Sequence, residues 1–302
     1  MELLVASSTD AGQQRELNQD DVLIREDKNF AALFDGMGGQ SAGELASNMA
    51  VETFAPLVVN PGIGALDRLS EQIEGCYPSF VLDMVQAIRL TNRRIFNHAM
   101  EHPQIKGMGT TVVAIRLEDN LSCIAHVGDS RAYRIRDSKL EQLTKDHSWL
   151  NELLEDNEIS LDEAETFAQR NVITRALGIN GTIKVDIRVD PVKEGDCFLL
   201  CSDGLTTPVR DQNILEIVLT FRQNLAGAAA HLIQAANAAG GPDNITVILM
   251  HVVKLDPQHE HDSVCAMTIP EESEKDSVVE DKIIKKLYES DSARGSFFRR
   301  LF

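Results

Sequence analysis

The chain has few cysteines, no excess of positive charge and no long apolar run, and each of these absences argues against a class of protein. Its five cysteines include no Cys-x-x-Cys pair, which argues against a disulfide framework or a zinc knuckle and predicts reduced thiols in the cytoplasm. A formal net charge of −18 repels phosphate backbones, so nucleic acid is not expected as a partner. No apolar stretch is long enough for a membrane helix, and the N-terminus lacks the basic and apolar segments of a signal peptide.

Apolar residues are plentiful, at 43% of 302, which is ample for a sizeable core. Helical periodicity predicts helices over Ala42–Val58, Val81–Met100 and Ala226–Ala239. Short, mostly apolar segments predict strands over Leu3–Ser7, Asp21–Arg25, Ala31–Phe34, Thr110–Leu117, Leu121–Val127, Ala132–Arg136, Lys184–Val189, Cys197–Cys201 and Ile245–Val253. Short turns between strands favour antiparallel sheets with helices on their outer faces. We therefore predict an α+β fold, a four-layer α-β-β-α sandwich of two antiparallel sheets flanked by helices.

Composition divides the chain into one domain and a tail. Residues 1–255 are predicted to form the domain, and an acidic excursion at about 146–181 is predicted to be a helical flap near the site. Residues 256–302 have the composition of an acidic linker and an amphipathic tail, with helical spacing over Val278–Tyr288. This tail could dock a partner, pack back on the domain, touch a membrane surface or stay disordered with a transient helix.

Several aspartates lie at the ends of apolar segments. Asp35 and Asp203 each follow one such segment, and Asp243 precedes another. Strands would deliver these carboxylates to one edge of a sheet, where they can converge on a hard cation such as Mg²⁺ or Mn²⁺. The pattern indicates a carboxylate-bridged metal centre that hydrolyses a phosphorylated substrate.

These aspartates belong to an ordered series of motifs, and the series resembles a known family. The motifs are Arg15-x-x-Asn18-Gln19-Asp20, Asp35-Gly36-Met37-Gly38-Gly39, Gly107-Met108-Gly109-Thr110-Thr111, His126-Val127-Gly128-Asp129-Ser130-Arg131-Ala132, Leu143-Thr144-x-Asp146-His147-Ser148, Ile173-Thr174-Arg175-Ala176-Leu177-Gly178, Ser202-Asp203-Gly204-Leu205 and Asp243-Asn244-Ile245-Thr246. From about Leu3 to Val253 the chain resembles the metal-dependent protein phosphatases, the PPM family, and especially their bacterial serine/threonine phosphatases. That family's fold, a β-sandwich flanked by helices, agrees with the predicted strands.

The resemblance implies a set of metal ligands. Asp35 would bridge two Mn²⁺ or Mg²⁺ ions, the Gly36 carbonyl would bind the second ion, and Asp203 with Asp243 would complete the first. A water between the ions would attack phosphorus directly, without a covalent phosphoenzyme. Asp129 matches the position of a third, weaker metal, which gives two or three ions per domain. Alternatively, Asp129 caps a hairpin turn between its flanking strands.

Other residues would act beside the metal ligands. Arg15 matches the family's phosphate-binding arginine, although a surface salt bridge is the alternative, and Asp20 would orient metal-bound water. Many relatives have glutamate where this chain has Gln19. Thr110 and Asn244 would either support the ligands by hydrogen bonds or satisfy buried backbone groups.

The resemblance implies a bacterial signalling enzyme, and the cysteine usage and the lack of a signal or membrane segment predict that it is cytoplasmic. We expect a metal-dependent phosphoprotein phosphatase that acts on phosphoserine and phosphothreonine, with phosphorylated proteins as substrates and a cognate serine/threonine kinase as its opponent. The alternative is a catalytically attenuated phosphatase-like module that binds a phosphoprotein or partner. It is motivated by Gln19 and by Met37 and Gln40, which stand where relatives often have histidines.

Overall fold

The structure is a computed structural model that describes residues 1–39, 41–59, 78–155, 172–257, 265–285 and 287. The strands are β1 (Glu2–Asp10), β2 (Asp20–Arg25), β3 (Phe30–Met37), β4 (Gly109–Thr110), β5 (Val112–Glu118), β6 (Leu121–Val127), β7 (Arg131–Arg136), β8 (Lys139–Gln142), β9 (Val185–Pro191), β10 (Cys197–Cys201), β11 (Ile245–Lys254) and β12 (Cys265–Ile269). The α-helices are α1 (Ala42–Val59), α2 (Ser79–Glu101), α3 (Trp149–Glu155), α4 (Asp203–Thr206), α5 (Asp211–Thr220), α6 (Leu225–Ala238) and α7 (Glu274–Ile284).

The strands form two antiparallel sheets. A five-stranded sheet has the order β1-β11-β10-β7-β8, and a seven-stranded sheet has the order β12-β9-β6-β5-β3-β2, with β4 paired to β3. The chain crosses between the sheets several times, once in the short connection from β6 to β7.

Alternation along the strands produces three hydrophobic layers. In β3, Phe30 and Phe34 face α1 and α2, whereas Leu33 faces the other sheet. In β11, Leu249 faces α5 and α6, and Ile248 faces the seven-stranded sheet. These two central strands therefore bury both of their faces, which explains their nearly continuous apolar sequences. The predicted four-layer α-β-β-α sandwich is confirmed. No helix in the described part of the chain is both long and apolar enough to span a membrane.

The structure describes only part of the predicted flap and part of the predicted tail. Helix α3 lies where the flap is predicted to begin, and residues 156–171 lie outside the described residues. Beyond residue 256, β12 pairs with β9, and α7 packs against α2, where Asp281 binds Arg93 at 2.7 Å. Regular elements thus lie on both sides of the predicted domain boundary at 255, which stays a prediction.

Candidate metal centre

The predicted metal-binding aspartates lie at one end of the sandwich and come from both sheets. Asp35, near the end of β3, is opposite Asp20 of β2 in their ladder. Asp203 begins α4 immediately beyond β10, and Asp243 lies just before β11. Asp129 lies in the connection from β6 to β7. The strand ends thus bring the carboxylates together at one end of the sandwich, from both sheets and not from the edge of a single sheet that the sequence predicts.

The carboxylates are close enough to disfavour one another's charge. Burial raises the pKa of Asp203 to about 7, and the charges of Asp129 and Asp243 add to the shift. Burial likewise raises the pKa of Asp20 and of Asp129 to about 6 each. The pKa of Asp35 lies well above its usual range because of burial and then the charge of Asp20. Without a cation, this site holds protons at physiological pH.

The donor set fits divalent cations. Oδ1 of Asp20 and Oδ1 of Asp129 are buried and have no hydrogen-bond partner among the described residues. Buried carboxylate oxygens without partners are costly, and a cation or the water bound to it would satisfy them, while the cation would remove the mutual repulsion of the cluster. Carboxylate oxygens are the ligands that Mg²⁺ and Mn²⁺ prefer.

Arg15 lies at the rim of the site and pairs with a predicted ligand. Its Nη2 donates a hydrogen bond to Oδ2 of Asp243 at 2.7 Å. This bond and the charge of Asp243 raise the pKa of Arg15 above its usual value. The Arg15 side chain is 55% exposed, so it can be reached from solvent. The structure thus contains both a salt bridge and the placement that phosphate binding would need.

Asn244 fixes the loop that carries Arg15. Its Nδ2 donates to the carbonyls of Ala11 at 2.9 Å and Leu17 at 2.8 Å, and its Oδ1 accepts from the backbone N of Gln19 at 2.8 Å. The amide therefore binds backbone groups near both ends of the loop. Of the two sequence-based interpretations of Asn244, satisfying backbone groups describes these contacts, and through them it positions the loop.

The backbone of Asp35 is held by two adjacent threonines. Thr110 Oγ1 donates to the Asp35 carbonyl at 3.0 Å, and the Asp35 N donates to Thr111 Oγ1 at 3.1 Å. Thr111 Oγ1 also lies 2.8 Å from Ser130 Oγ, next to Asp129. The sequence analysis named Thr110 but missed Thr111 and Ser130, although both lie within the quoted motifs.

Ser202 is a further residue that the sequence analysis missed. Its hydroxyl donates to Oδ2 of Asp20 at 2.9 Å and accepts from the Thr246 N at 3.0 Å. The serine directly before Asp203 thus joins the two sheets beneath the site. The feature of the sequence that could have identified Ser202 is its position directly before the predicted ligand Asp203.

Gly36 lies where β3 approaches α1 very closely. A Cβ at Gly36 would lie 2.2 Å from the Gly43 carbonyl oxygen, so a larger residue cannot fit without moving backbone. The Gly36 N donates to the Gln19 carbonyl at 3.1 Å. The Gln19 side chain lies against Gly43, where a Cβ would be 2.8 Å from its Oε1. The metal-binding role of the Gly36 carbonyl stays a prediction.

The alternative role for Asp129, as the cap of a hairpin, is wrong. Strands β6 and β7 belong to different sheets, so the residues between them cross the sandwich instead of turning back on the same sheet. Gly128 makes this crossing at φ +114°, and a Cβ there would lie 2.6 Å from Thr111 Cγ2. Asp129 is therefore aimed at the metal site by a glycine-dependent crossover.

A cleft of about 180 Å³ opens beside the site. It lies between the beginning of α3 and helix α4, and its lining residues are Asp129, Arg131, Asp146, Ser148, Leu150, Asn151, Asp203, Thr206 and Thr207. A substrate that reaches the carboxylates can contact these side chains. Gln40, one of the two positions without the histidine of relatives, lies outside the described residues.

Comparisons with known proteins agree with this arrangement. A profile of the family described as Protein phosphatase 2C matches residues 9–238. The serine/threonine phosphatase stp of Listeria monocytogenes is 38% identical over 253 residues, covering 80% of this chain and 93% of that protein. Protein phosphatase PhpP of Streptococcus pneumoniae is 36% identical over 253 residues, covering 83% of this chain and 98% of that protein.

A solved structure extends the similarity to three dimensions. The catalytic domain of serine/threonine protein phosphatase PstP, in complex with two manganese ions, superposes with a TM-score of 0.69 at 35% identity. The superposition covers 83% of this chain and 99% of that one.

Proposed function

Since the chain belongs to the protein phosphatase 2C family, of the bacterial serine/threonine phosphatase type, we propose that the aspartates of its metal centre hold the ions with which it hydrolyses phosphoserine and phosphothreonine. It is a metal-dependent protein serine/threonine phosphatase that uses Mn²⁺ or Mg²⁺ and acts on phosphoproteins.

Asp35, the Gly36 carbonyl, Asp203 and Asp243 would hold two ions, and Asp129 would contribute to a third. The chemistry that bound Mn²⁺ or Mg²⁺ supplies is Lewis acidity, which activates water for attack on phosphorus and offsets phosphoryl charge. The observation that carries this assignment is the convergence of partly protonated carboxylates with partnerless buried oxygens at one end of the sandwich.

Two residues would act on the substrate and on water. Arg15 would bind phosphate oxygens, since a planar guanidinium can donate two parallel hydrogen bonds and keeps its charge. It would do so by leaving or sharing its bond to Asp243. Asp20 accepts from Ser202 through Oδ2, so its partnerless Oδ1 is free to accept a hydrogen bond from the attacking water and orient it.

The experiment is phosphate release from a phosphothreonine peptide with Mn²⁺, with Mg²⁺ and with chelator, comparing the wild type with Asp203→Asn. We expect metal-dependent release that Asp203→Asn reduces by at least a hundredfold while its far-UV circular dichroism is unchanged. Full activity in a folded Asp203→Asn variant would overturn the assignment.

The attenuated binding module is the less favoured function, because the predicted aspartate ligands are all present and named phosphatases match most of the chain. Of the features that motivated it, Gln19 and Met37 lie near the site without replacing any of these aspartates. Metal-independent binding of a phosphopeptide without turnover would restore this alternative.

We also propose a cytoplasmic enzyme that opposes a serine/threonine kinase. The four described cysteines are all free, which suits a reducing compartment. Deleting the gene should raise phosphothreonine on the kinase or its substrates, and cell fractionation should recover the enzyme with soluble cytoplasmic proteins. Unchanged phosphorylation or recovery with membranes would contradict these proposals.

A further inference from the structure

His147 and Gly128 form a reciprocal pair of hydrogen bonds. The backbone N of His147 donates to the Gly128 carbonyl at 2.9 Å, and the Gly128 N donates to Nδ1 of His147 at 3.0 Å. Both polar groups of the residue directly before Asp129 are thus held by one histidine. The His147 side chain is 2% exposed, so water does not compete for these bonds.

The contacts of the ring fix its tautomer. Because Nδ1 accepts from a backbone N–H, the ring proton of neutral His147 lies on Nε2, which donates to Oδ2 of Asp186 at 3.1 Å. Oδ1 of Asp186 accepts from Arg175 at 3.1 Å. Although burial opposes it, the hydrogen bond from His147 is the main contact that holds the pKa of Asp186 below its usual range. The acceptor of the His147 proton is therefore ionised.

His147 also holds residues 173–175, in the C-terminal part of the predicted flap. Its carbonyl accepts from the Thr174 N at 2.9 Å, and Ser148 forms an isolated β-bridge with Ile173. Arg175, on the same segment, reaches Asp186 of β9. One histidine thus joins the Asp129 crossover, residues 173–175 and the seven-stranded sheet.

The same group could be mistaken for a cation site. Ligand atoms of His126, His147 and Asp186 all lie within 4.8 Å of one another. Both nitrogens of His147 are already used, however, and no lone pair on Nε2 faces Asp186 in the tautomer that Gly128 requires. Arg175 adds a positive charge at the carboxylate, and His126, stacked on His147 at 4.7 Å between ring centroids, directs Nε2 at the Lys145 carbonyl. These contacts indicate that the three residues form a hydrogen-bonded cluster and not a metal site.

We propose that His147 is a positioning residue of the phosphatase: its Nε2-protonated ring fixes Gly128, so that the Asp129 carboxylate faces the metal centre, and couples that crossover to residues 173–175. The proposal rests on the metal-binding role proposed above for Asp129. It predicts that losing the Nδ1 acceptor weakens the Asp129-dependent ion specifically and leaves the ions held by Asp35, Asp203 and Asp243 in place.

Two amide substitutions separate the contacts of the two ring nitrogens. In His147→Asn, the amide oxygen can stand where Nδ1 does and accept from Gly128, but the side chain is too short for Asp186. In His147→Gln, the amide can reach Asp186 but leaves the Gly128 N without its acceptor. The measurement is calorimetric titration with Mn²⁺ in the absence of substrate. We expect the Mn²⁺ affinity of the weakest site to fall ten- to a hundredfold in His147→Gln and to stay within threefold of wild type in His147→Asn. The exposed control His231→Asn should leave this affinity unchanged.

A double-mutant cycle distinguishes positioning from general structural support. If His147 acts through Asp129, His147→Gln should cause no further loss of Mn²⁺ binding in an Asp129→Asn background. Equal losses in the Asn and Gln variants, wild-type binding in His147→Gln, or additive losses in the double mutant would each overturn the proposal. If His147→Gln does not fold, His147→Asn decides: wild-type Mn²⁺ binding supports the proposal, and loss of the weakest site overturns it. Phosphate release by the wild type, measured in parallel, reports separately on the proposed function.

Discussion

Binding of Mn²⁺ to the metal-free protein should release protons, and the number released should fall steeply between pH 5.5 and 7.5. Asp203, with a pKa of about 7, and Asp20 and Asp129, with pKa values of about 6, are mostly protonated at the lower pH. These three carboxyls together carry about two more protons at pH 5.5 than at pH 7.5, and a cation must displace them. The overall Mn²⁺ binding constant should therefore rise by about two to three orders of magnitude over this range.

The assay is calorimetric titration with Mn²⁺ in buffers of different ionisation enthalpy, which gives the proton count directly. Asp203→Asn, which removes the carboxyl that titrates near pH 7, should lower the count by about one proton at pH 5.5 and by about half a proton at pH 7. Two results would refute the view that burial and mutual repulsion keep the site protonated. One is the release of less than half a proton per protein molecule at pH 5.5, and the other is a number of released protons that is the same at both pH values.

The same shifts set the pH dependence of stability. Carboxyls whose pKa is raised on folding bind more protons in the folded state, so the free energy of unfolding of the metal-free protein should fall as the pH rises from about 4 through 7. Mn²⁺ removes this loss, so the rise in Tm that it causes should be larger at pH 7.5 than at pH 5.5. An equal rise at both pH values would contradict this linkage.

Three other perturbations have expected outcomes. Asn244→Ala removes the three hydrogen bonds between the Asn244 amide and the loop of Arg15 and should raise KM for a phosphopeptide at least tenfold, with Mn²⁺ binding less affected. Equal loss of both would contradict a role in positioning the loop. Arg89→Leu leaves buried Glu272 without its ion-pair partner at 3.4 Å, and it should lower the free energy of unfolding measured in urea by about 3 kcal/mol. The double variant Arg89→Leu/Glu272→Leu should lower it by less. Truncation after residue 257 removes β12 and α7 and should lower the Tm by several degrees; an unchanged Tm would mean that their packing contributes no net stability.

Much of the sandwich could be predicted because its strands are buried on both faces. The apolar segments at Leu121–Val127 and Cys197–Cys201 match β6 and β10 residue for residue. The missed strand β8 alternates between exposed and partly buried residues over Lys139–Gln142, and β12 is exposed except at its last residue. Such strands form through backbone pairing with a neighbour, which leaves little apolar pattern in the sequence.

The C-terminal region shows a different limit. The helical spacing placed a helix over Val278–Tyr288, whereas α7 begins at Glu274, where Ser273 and Asp276 form a capping box. Helix α7 buries charged groups that sequence reasoning assigns to solvent, such as Glu280, whose pKa rises to about 8 chiefly through burial. Only the tertiary contact reveals that these residues are interior.

The residues proposed for the site could be named from motifs, but the contacts that fix them could not, because these contacts join the two sheets. Asp20 and Asp35 are carried by the seven-stranded sheet, Asp203 and Asp243 by ends of the five-stranded one, and Asp129 by the connection between them. The bond from Ser202 to Asp20 spans this division. The spacing of the carboxylates is therefore set by how the sheets pack through their shared apolar layer. A metal centre built this way is sensitive to that packing even where no core residue touches a ligand.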